Sequence, residues 1–123
     1  MRYASTILYV PDVPAALDFY RRAFGLEPGF VAPGDSYATL AGDGGVLAFA
    51  AHAMAPDTDR ATDPPAGFEV WLETEDVAAA YAQAVEAGAE PVQEPAEKPW
   101  GQTVAYVRDA NGTLVELGEP VSG

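Results

Sequence analysis

A degenerate internal repeat is the feature of this 123-residue chain that most restricts what it can fold into. The segment Tyr9-Val10-Pro11-Asp12-Val13-Pro14-Ala15-Ala16 is answered by Glu73-Thr74-Glu75-Asp76-Val77-Ala78-Ala79-Ala80, with Asp12 opposite Asp76. Each copy then reaches a glycine and an acidic-proline pair, Gly25-Leu26-Glu27-Pro28 in the first and Gly88-Ala89-Glu90-Pro91 in the second. The offset falls from 64 to 63 between these landmarks, a single deletion. Repeated units of this size lack a core of their own, so their apolar faces are buried against each other or against a second chain. A single domain of paired modules is expected, and a homodimer is plausible for the same reason.

Within each copy the apolar residues change rhythm. Val13, Ala16, Leu17, Tyr20 and Phe24 keep the spacing of a helix with one buried face, and Val77, Ala80, Tyr81, Ala84 and Val85 repeat it. Asp12 and Asp76 stand where an N-cap should, and Gly25 and Gly88 where a left-handed stop should. Alternating runs precede the helices, Tyr3 to Val10 and Phe68 to Thr74. Phe30 to Val31, Ser36 to Leu40 and Val46 to His52 read as strands after the first helix. Pro91 to Gln93, Gln102 to Arg108 and Thr113 to Leu117 follow the second. Asp109-Ala110-Asn111-Gly112 and Gly42-Asp43-Gly44-Gly45 supply hairpin turns. The fold class is α+β, two βαβββ modules at residues 1–53 and 68–120 joined by a proline- and aspartate-rich linker at 54–67.

Composition narrows the partners. Hydrophobic residues reach 49% and charged ones 20%, which supports a packed chain throughout. A net charge of −13 repels phosphate backbones and anionic membrane surfaces, so nucleic acid is excluded as a partner and a cationic ligand is favoured. With no cysteine there is no disulfide, thiolate metal site or thiol nucleophile. The apolar run after Met1-Arg2 is too short for a signal peptide, and no stretch is long enough to span a bilayer, so a cytoplasmic, non-membrane protein is expected.

Val10-Pro11-Asp12 before a helix carrying Phe19-Tyr20 and then Phe24-Gly25-Leu26, together with Pro99-Trp100-Gly101 and Arg108-Asp109-Ala110-Asn111-Gly112-Thr113-Leu114-Val115-Glu116-Leu117, resembles the vicinal oxygen chelate superfamily. That group holds glyoxalases, bleomycin resistance proteins and extradiol dioxygenases. The resemblance covers nearly the whole chain. It implies a curved mixed-sheet cup, the glyoxalase/bleomycin resistance fold, with helices on the outer face and the functional site inside. Strand alternation then assigns Ser5, Ile7 and Tyr9, Ala48, Ala50 and His52, Glu69, Trp71 and Glu73, and Leu114 and Glu116 to the inner surface.

In metal-using members of that group, each module supplies one ligand from its first strand and one from its last. Carried onto this chain, those places fall at Ser5, Ala48, Glu69 and Glu116. Alanine offers no donor and serine only a neutral hydroxyl, whereas a catalytic divalent site needs three or four side-chain ligands. The resemblance therefore implies no complete metal centre. Glu69 and Glu116 remain as weak candidates, either for a loosely held Mg²⁺ or Ca²⁺ completed by water or for a carboxylate pair sharing a proton. The bland alternative is a pair of solvated carboxylates at the mouth of the cup.

Trp71 and Trp100 offer flat apolar area and cation-π attraction to a ligand. Pro99-Trp100-Gly101 resembles a loop bordering the cavity in bleomycin-binding members, although a tryptophan plugging the core would look the same in sequence. Tyr9, Tyr37, Phe49 and Tyr106 are cavity wall or ordinary core. His52, the only histidine, lies about 13 Å along a strand from position 48 at ~3.3 Å per residue and reads as a surface residue. Arg21-Arg22 reads as a solvated helix face.

The leading expectation is a drug-binding or sequestering protein without a resident cofactor, holding a small aromatic or cationic molecule through Glu69, Trp71, Trp100, Glu116, Ser5, Tyr9 and Tyr106. The alternative is a lyase, isomerase or dioxygenase with a reduced metal site, or a metal-free enzyme using Glu69 or Glu116 as general base.

Overall fold

A computed structural model describes residues 1–42 and 46–121. The Gly-rich turn expected at Gly42-Asp43-Gly44-Gly45 lies mostly outside the described residues. The chain divides into two compact units, Met1–Arg21 with Gly25–Asp63 and Arg22–Phe24 with Pro64–Gly123. Each contains one four-stranded mixed sheet.

The first sheet is built from β1 (Thr6–Val10), β2 (Pro28–Val31), β3 (Tyr37–Leu40) and β4 (Leu47–Ala51), in the order β1-β4-β3-β2. The second uses β5 (Val70–Glu73), β6 (Glu90–Glu97), β7 (Thr103–Arg108) and β8 (Leu114–Gly118), in the matching order β5-β8-β7-β6. In both, the first and last strands run parallel and the remaining pairs antiparallel. The repeat in sequence is thus a repeat in topology.

Each principal helix is fixed at its start by an aspartate. In α1 (Val13–Phe24) the Asp12 carboxylate accepts the Ala15 N–H at 3.0 Å, and in α3 (Val77–Glu86) Asp76 accepts the Ala79 N–H at 3.0 Å. Gly25 ends α1 with φ 69°, and Gly88, just past the end of α3, has φ 111°. Tyr20 of α1 is fully buried with its ring edge-on to Phe49 of β4 at 4.9 Å, which settles Phe49 as core. On the second sheet α3 packs against β6, β7 and β8.

Alternation sorts the two faces of each sheet as the sequence implies. Leu8 and Val10 are buried while Ile7 is 43% exposed, and Val115 and Leu117 are buried while Leu114 and Glu116 are half-exposed.

Several boundaries differ from expectation: β1 begins at Thr6 and not Tyr3, which leaves Ser5 outside it, and β2 begins at Pro28 and not Phe30. β4 ends at Ala51, so His52 opens a 3₁₀ turn, His52–Met54, instead of closing a strand. The 54–67 segment contains a one-turn helix, α2 (Thr58–Ala61), whose start is held by Asp57 accepting the Arg60 N–H at 3.3 Å. β5 begins at Val70, leaving Glu69 immediately before it. β6 is eight residues long, not three. Its Pro91 and Pro95 and absent alternation hide it in sequence, but an edge strand with register shifts between Pro91/Gln93 and Gln93/Ala96 tolerates prolines whose missing N–H faces outward. Among the described residues no helix is long and apolar enough to cross a membrane.

Candidate functional site

The second sheet concentrates its unusual side chains on the face away from its buried valines and leucines. Glu116 of β8 is the register partner of Trp71 on one side and Tyr106 on the other. Paired residues project from the same face, so an indole, a carboxylate and a phenol stand in a row across three strands. The Tyr106 hydroxyl donates to Glu116 Oε1 at 2.9 Å.

Glu69, at the entrance to β5, joins this row electrostatically. Its carboxyl is pushed above the usual value of 4.5, first by partial loss of water and then by the charge of Glu116. Tyr106 is pushed up to about 12 by burial, by its hydrogen bond to Glu116 and by the negative charge of Glu116 and Glu69. In both, burial is the largest cause and the negative charge of Glu116 adds to it. Lys98 is the nearby cation, with Nζ 5.8 Å from the Tyr106 ring centre.

The two tryptophans are anchored by their edges. Trp71 Nε1 donates to the Gly118 carbonyl at 3.4 Å, and Trp100 Nε1 donates to Gln102 Oε1 at 2.9 Å. Gln102 in turn donates from Nε2 to the Glu119 carbonyl at 2.7 Å, so Trp100 is tied through it to the end of β8. The turn that presents Trp100 closes with Lys98 N–H to Gln102 O at 2.8 Å and Gly101 N–H to Lys98 O at 2.8 Å, with Gly101 at φ 94°. Trp71 is 45% exposed and Trp100 67%, so Trp100 does not plug the core.

Gly118 makes room for this arrangement. A Cβ there would lie 2.9 Å from Trp71 Nε1, 3.3 Å from Gln102 Nε2 and 3.4 Å from Glu116 Oε2. The absent side chain lets the indole edge settle on the β8 backbone.

The structure thus brings together Trp71, Tyr106 and Glu116, with Glu69 close enough to act on them. Ser5, just before β1, and Tyr9, within it, belong to the first unit, where Tyr9 pairs with Ala50. Ala48 is fully buried, in register with Ile7 and Thr39. Among the described residues no group of three or more His, Asp or Glu is placed to hold a metal ion. Lys98, Gln102 and Gly118 were not singled out by sequence reasoning. A glycine ending an apolar strand was the available signal for Gly118.

Duplicated βαβββ units, each with its first and last strands paired in parallel, are the architecture of a glyoxalase-type protein. The model of the Glyoxalase/Bleomycin resistance protein/Dioxygenase superfamily matches residues 2–117, and the chain belongs to that superfamily. Solved structures agree. TioX from Micromonospora sp. ML1 is 26% identical, with 98% of this chain and 100% of that one covered and a TM-score of 0.78. A superfamily member from Sphaerobacter thermophilus DSM 20745 is 27% identical, with 98% of each chain covered and a TM-score of 0.79. A glyoxalase-related enzyme from Fulvimarina pelagi, at 22% identity, covers 100% of this chain and 94% of its own with a TM-score of 0.82. No curated protein matches the chain.

Proposed function

We propose that this protein is a small-molecule binder of the drug-sequestering kind, with an incomplete metal centre and an aromatic or cationic organic ligand held against Trp71, Trp100, Tyr106 and the Glu69–Glu116 pair. The observation that carries the reading is a pair of exposed indoles whose N–H groups are committed to protein acceptors, one of them, Trp71, in register with the Glu116 carboxylate. Such plates favour stacking and cation-π contact. Stoichiometric capture requires no reaction.

The residues do not fit a divalent centre. Of the four places at which metal-using relatives carry ligands, Ala48 has no donor and is fully buried, and Ser5 is neutral. Glu116 also has one oxygen engaged by Tyr106.

Titration calorimetry of the metal-stripped protein against basic aromatic compounds, glycopeptide antibiotics among them, tests the reading. Heat of binding that is lost in Trp71→Ala supports it, and silence across the panel at millimolar concentration defeats it. The raised pKa of Glu69 beside Glu116 favours a second reading, a metal-free enzyme with Glu69 as general base. Metal analysis of protein purified without chelator separates both from a metalloenzyme: one firmly bound divalent ion per chain, lost in Glu116→Gln, would favour the latter.

A further inference from the structure

The hydrogen-bond inventory of the Trp71–Tyr106–Glu116 face restricts the ligand further than its aromatic character does. Besides the Lys98 ammonium, four groups there can donate, and each has a bond to the protein: Trp71 Nε1 to Gly118 O, Trp100 Nε1 to Gln102 Oε1, Gln102 Nε2 to Glu119 O, and Tyr106 O–H to Glu116 Oε1. Apart from that ammonium and the second N–H of the Gln102 amide, what is left over accepts. Glu116 Oε2 lies at the corner where Trp71 meets Gly118, and the Glu69 carboxylate is near enough to raise the Tyr106 pKa. Among the described residues neither of these groups has a hydrogen-bond donor of its own.

The neighbouring cations do not change this balance. Arg108, further along β7, donates to the Gly112 carbonyl at 3.2 Å. Lys98 lies over the Tyr106 ring, a single positive charge against two carboxylates. Glu73, exposed on β5 and in register with Gly118, adds to the negative side.

We infer that the face selects an organic monocation that donates N–H hydrogen bonds, a protonated aromatic amine or amidinium, over its neutral, anionic or quaternary counterparts. The inference rests on the binding role proposed above. The aromatic part stacks on an indole face while an N–H reaches Glu116 Oε2, a charge-assisted bond of the strong kind. A carbonyl, carboxylate or phosphate would meet two carboxylates and, as free donors, only the Lys98 ammonium and one N–H of Gln102. A quaternary ammonium would satisfy the charge and the aromatic faces but would leave the Glu116 oxygen without a hydrogen bond.

A matched series on the full chain tests this by calorimetry: 2-naphthamidine, 2-naphthamide, 2-naphthoate and trimethyl(2-naphthylmethyl)ammonium. The amidinium is expected to bind on the order of tenfold tighter than the amide and the quaternary ion, with the naphthoate undetectable, because one charge-assisted hydrogen bond is worth about that factor. Glu116→Gln should collapse the amidinium to the level of the amide. Lys98→Met, which removes the competing cation and leaves the sheet untouched, should strengthen the amidinium severalfold and serves if the Glu116 variant fails to fold. Equal affinity for amide and amidinium, or for quaternary ion and amidinium, overturns the inference and leaves the proposed binding role standing. No binding by any of the four, together with silence from the wider panel, removes both.

Discussion

Replacing Gly118 with alanine separates the work of the Trp71 plate from the stability of the sheet. The new Cβ would stand 2.9 Å from Trp71 Nε1, about 0.5 Å inside ordinary contact, and closer than comfortable to Gln102 Nε2 at 3.3 Å. Trp71 is 45% exposed, so the indole has room to swing outward and the backbone does not have to move. The fold loses a long N–H···O bond of 3.4 Å, worth about 0.5 kcal/mol at most. It gains about 0.5–1 kcal/mol because the unfolded chain is less free without the glycine, whose φ is outside the left-handed region. The two nearly cancel, and the denaturation midpoint should stay within about 1 kcal/mol of wild type. Binding should suffer more: a tilted indole forfeits about 1–1.5 kcal/mol of stacking, roughly a tenfold loss of affinity. Urea denaturation followed by circular dichroism and calorimetry with the best basic aromatic ligand give the two numbers. In a Trp71→Ala background the methyl meets no indole, so Gly118→Ala should become neutral to stabilising, a coupling that the double-mutant cycle isolates. A destabilisation above about 3 kcal/mol would mean that the sheet cannot yield at this point, and unchanged affinity would remove Trp71 from the site; either result refutes the reasoning.

Three further outcomes follow from the same geometry. Glu69 has a folded-state pKa above its ordinary value, so its contribution is fully present at acid pH and is lost as pH rises through that folded value. Glu69→Gln should therefore raise the melting temperature at pH 7 by about 1–2 °C, with the gap closing below pH 4 in parallel calorimetric scans. Tyr106, moved from 10.0 to about 12, contributes stability that is complete below pH 10 and drains away as pH climbs toward 12. The wild type should lose stability across that window faster than Tyr106→Phe, and ultraviolet titration should find one phenol ionising late. Asp76→Ala removes the acceptor for the Ala79 N–H and should cost about 1 kcal/mol in urea denaturation, without changing ligand affinity.

The scaffold was legible because its signals are local. An aspartate cap, a 3.6-residue apolar period and a glycine stop describe a helix from within, and both principal helices lie where those marks put them. Alternation likewise predicted which side chains of β1, β5 and β8 leave the core, but not those of β4, where Ala48 and Ala50, expected on the inner surface, are buried like Phe49 because small side chains are covered on either face. The edge strand β6 was underestimated, since prolines and a fully solvated surface erase the alternation on which strand reading depends. The site was half legible. Trp71, Tyr106 and Glu116 were each visible as candidates, but their adjacency depends on register, which one-residue slips would alter and which no single strand encodes. Gln102 and Lys98 escaped because a lone amide or ammonium in a turn has many bland explanations and acquires meaning only from what it touches.

The two modules place different chemistry at equivalent points, and this locates the divergence. The trio Trp71, Glu116 and Tyr106 is matched in the first sheet by Ile7, Ala48 and Thr39, joined by the same pairings of first, last and penultimate strands in their chain order. Thr39 is turned to structural use, its hydroxyl accepting the Phe30 N–H at 2.9 Å. Ala48 is wholly buried. The first sheet has thus given two of its matching positions, Ala48 and Thr39, to packing and backbone hydrogen bonding, with Ile7 exposed but uncharged, while the second keeps charge and aromatic area at the surface. Returning a carboxylate to the first sheet is then expected to harm the fold before it creates a ligand. Ala48→Glu would bury a charge for which the sheet offers no partner, at a cost of about 3–5 kcal/mol, enough to unfold most domains of this size in mild denaturant. Should the variant instead fold with wild-type stability and take up a divalent ion by equilibrium dialysis, position 48 would be a vacant ligand site one substitution deep, and burial of Ala48 would no longer stand against a divalent centre.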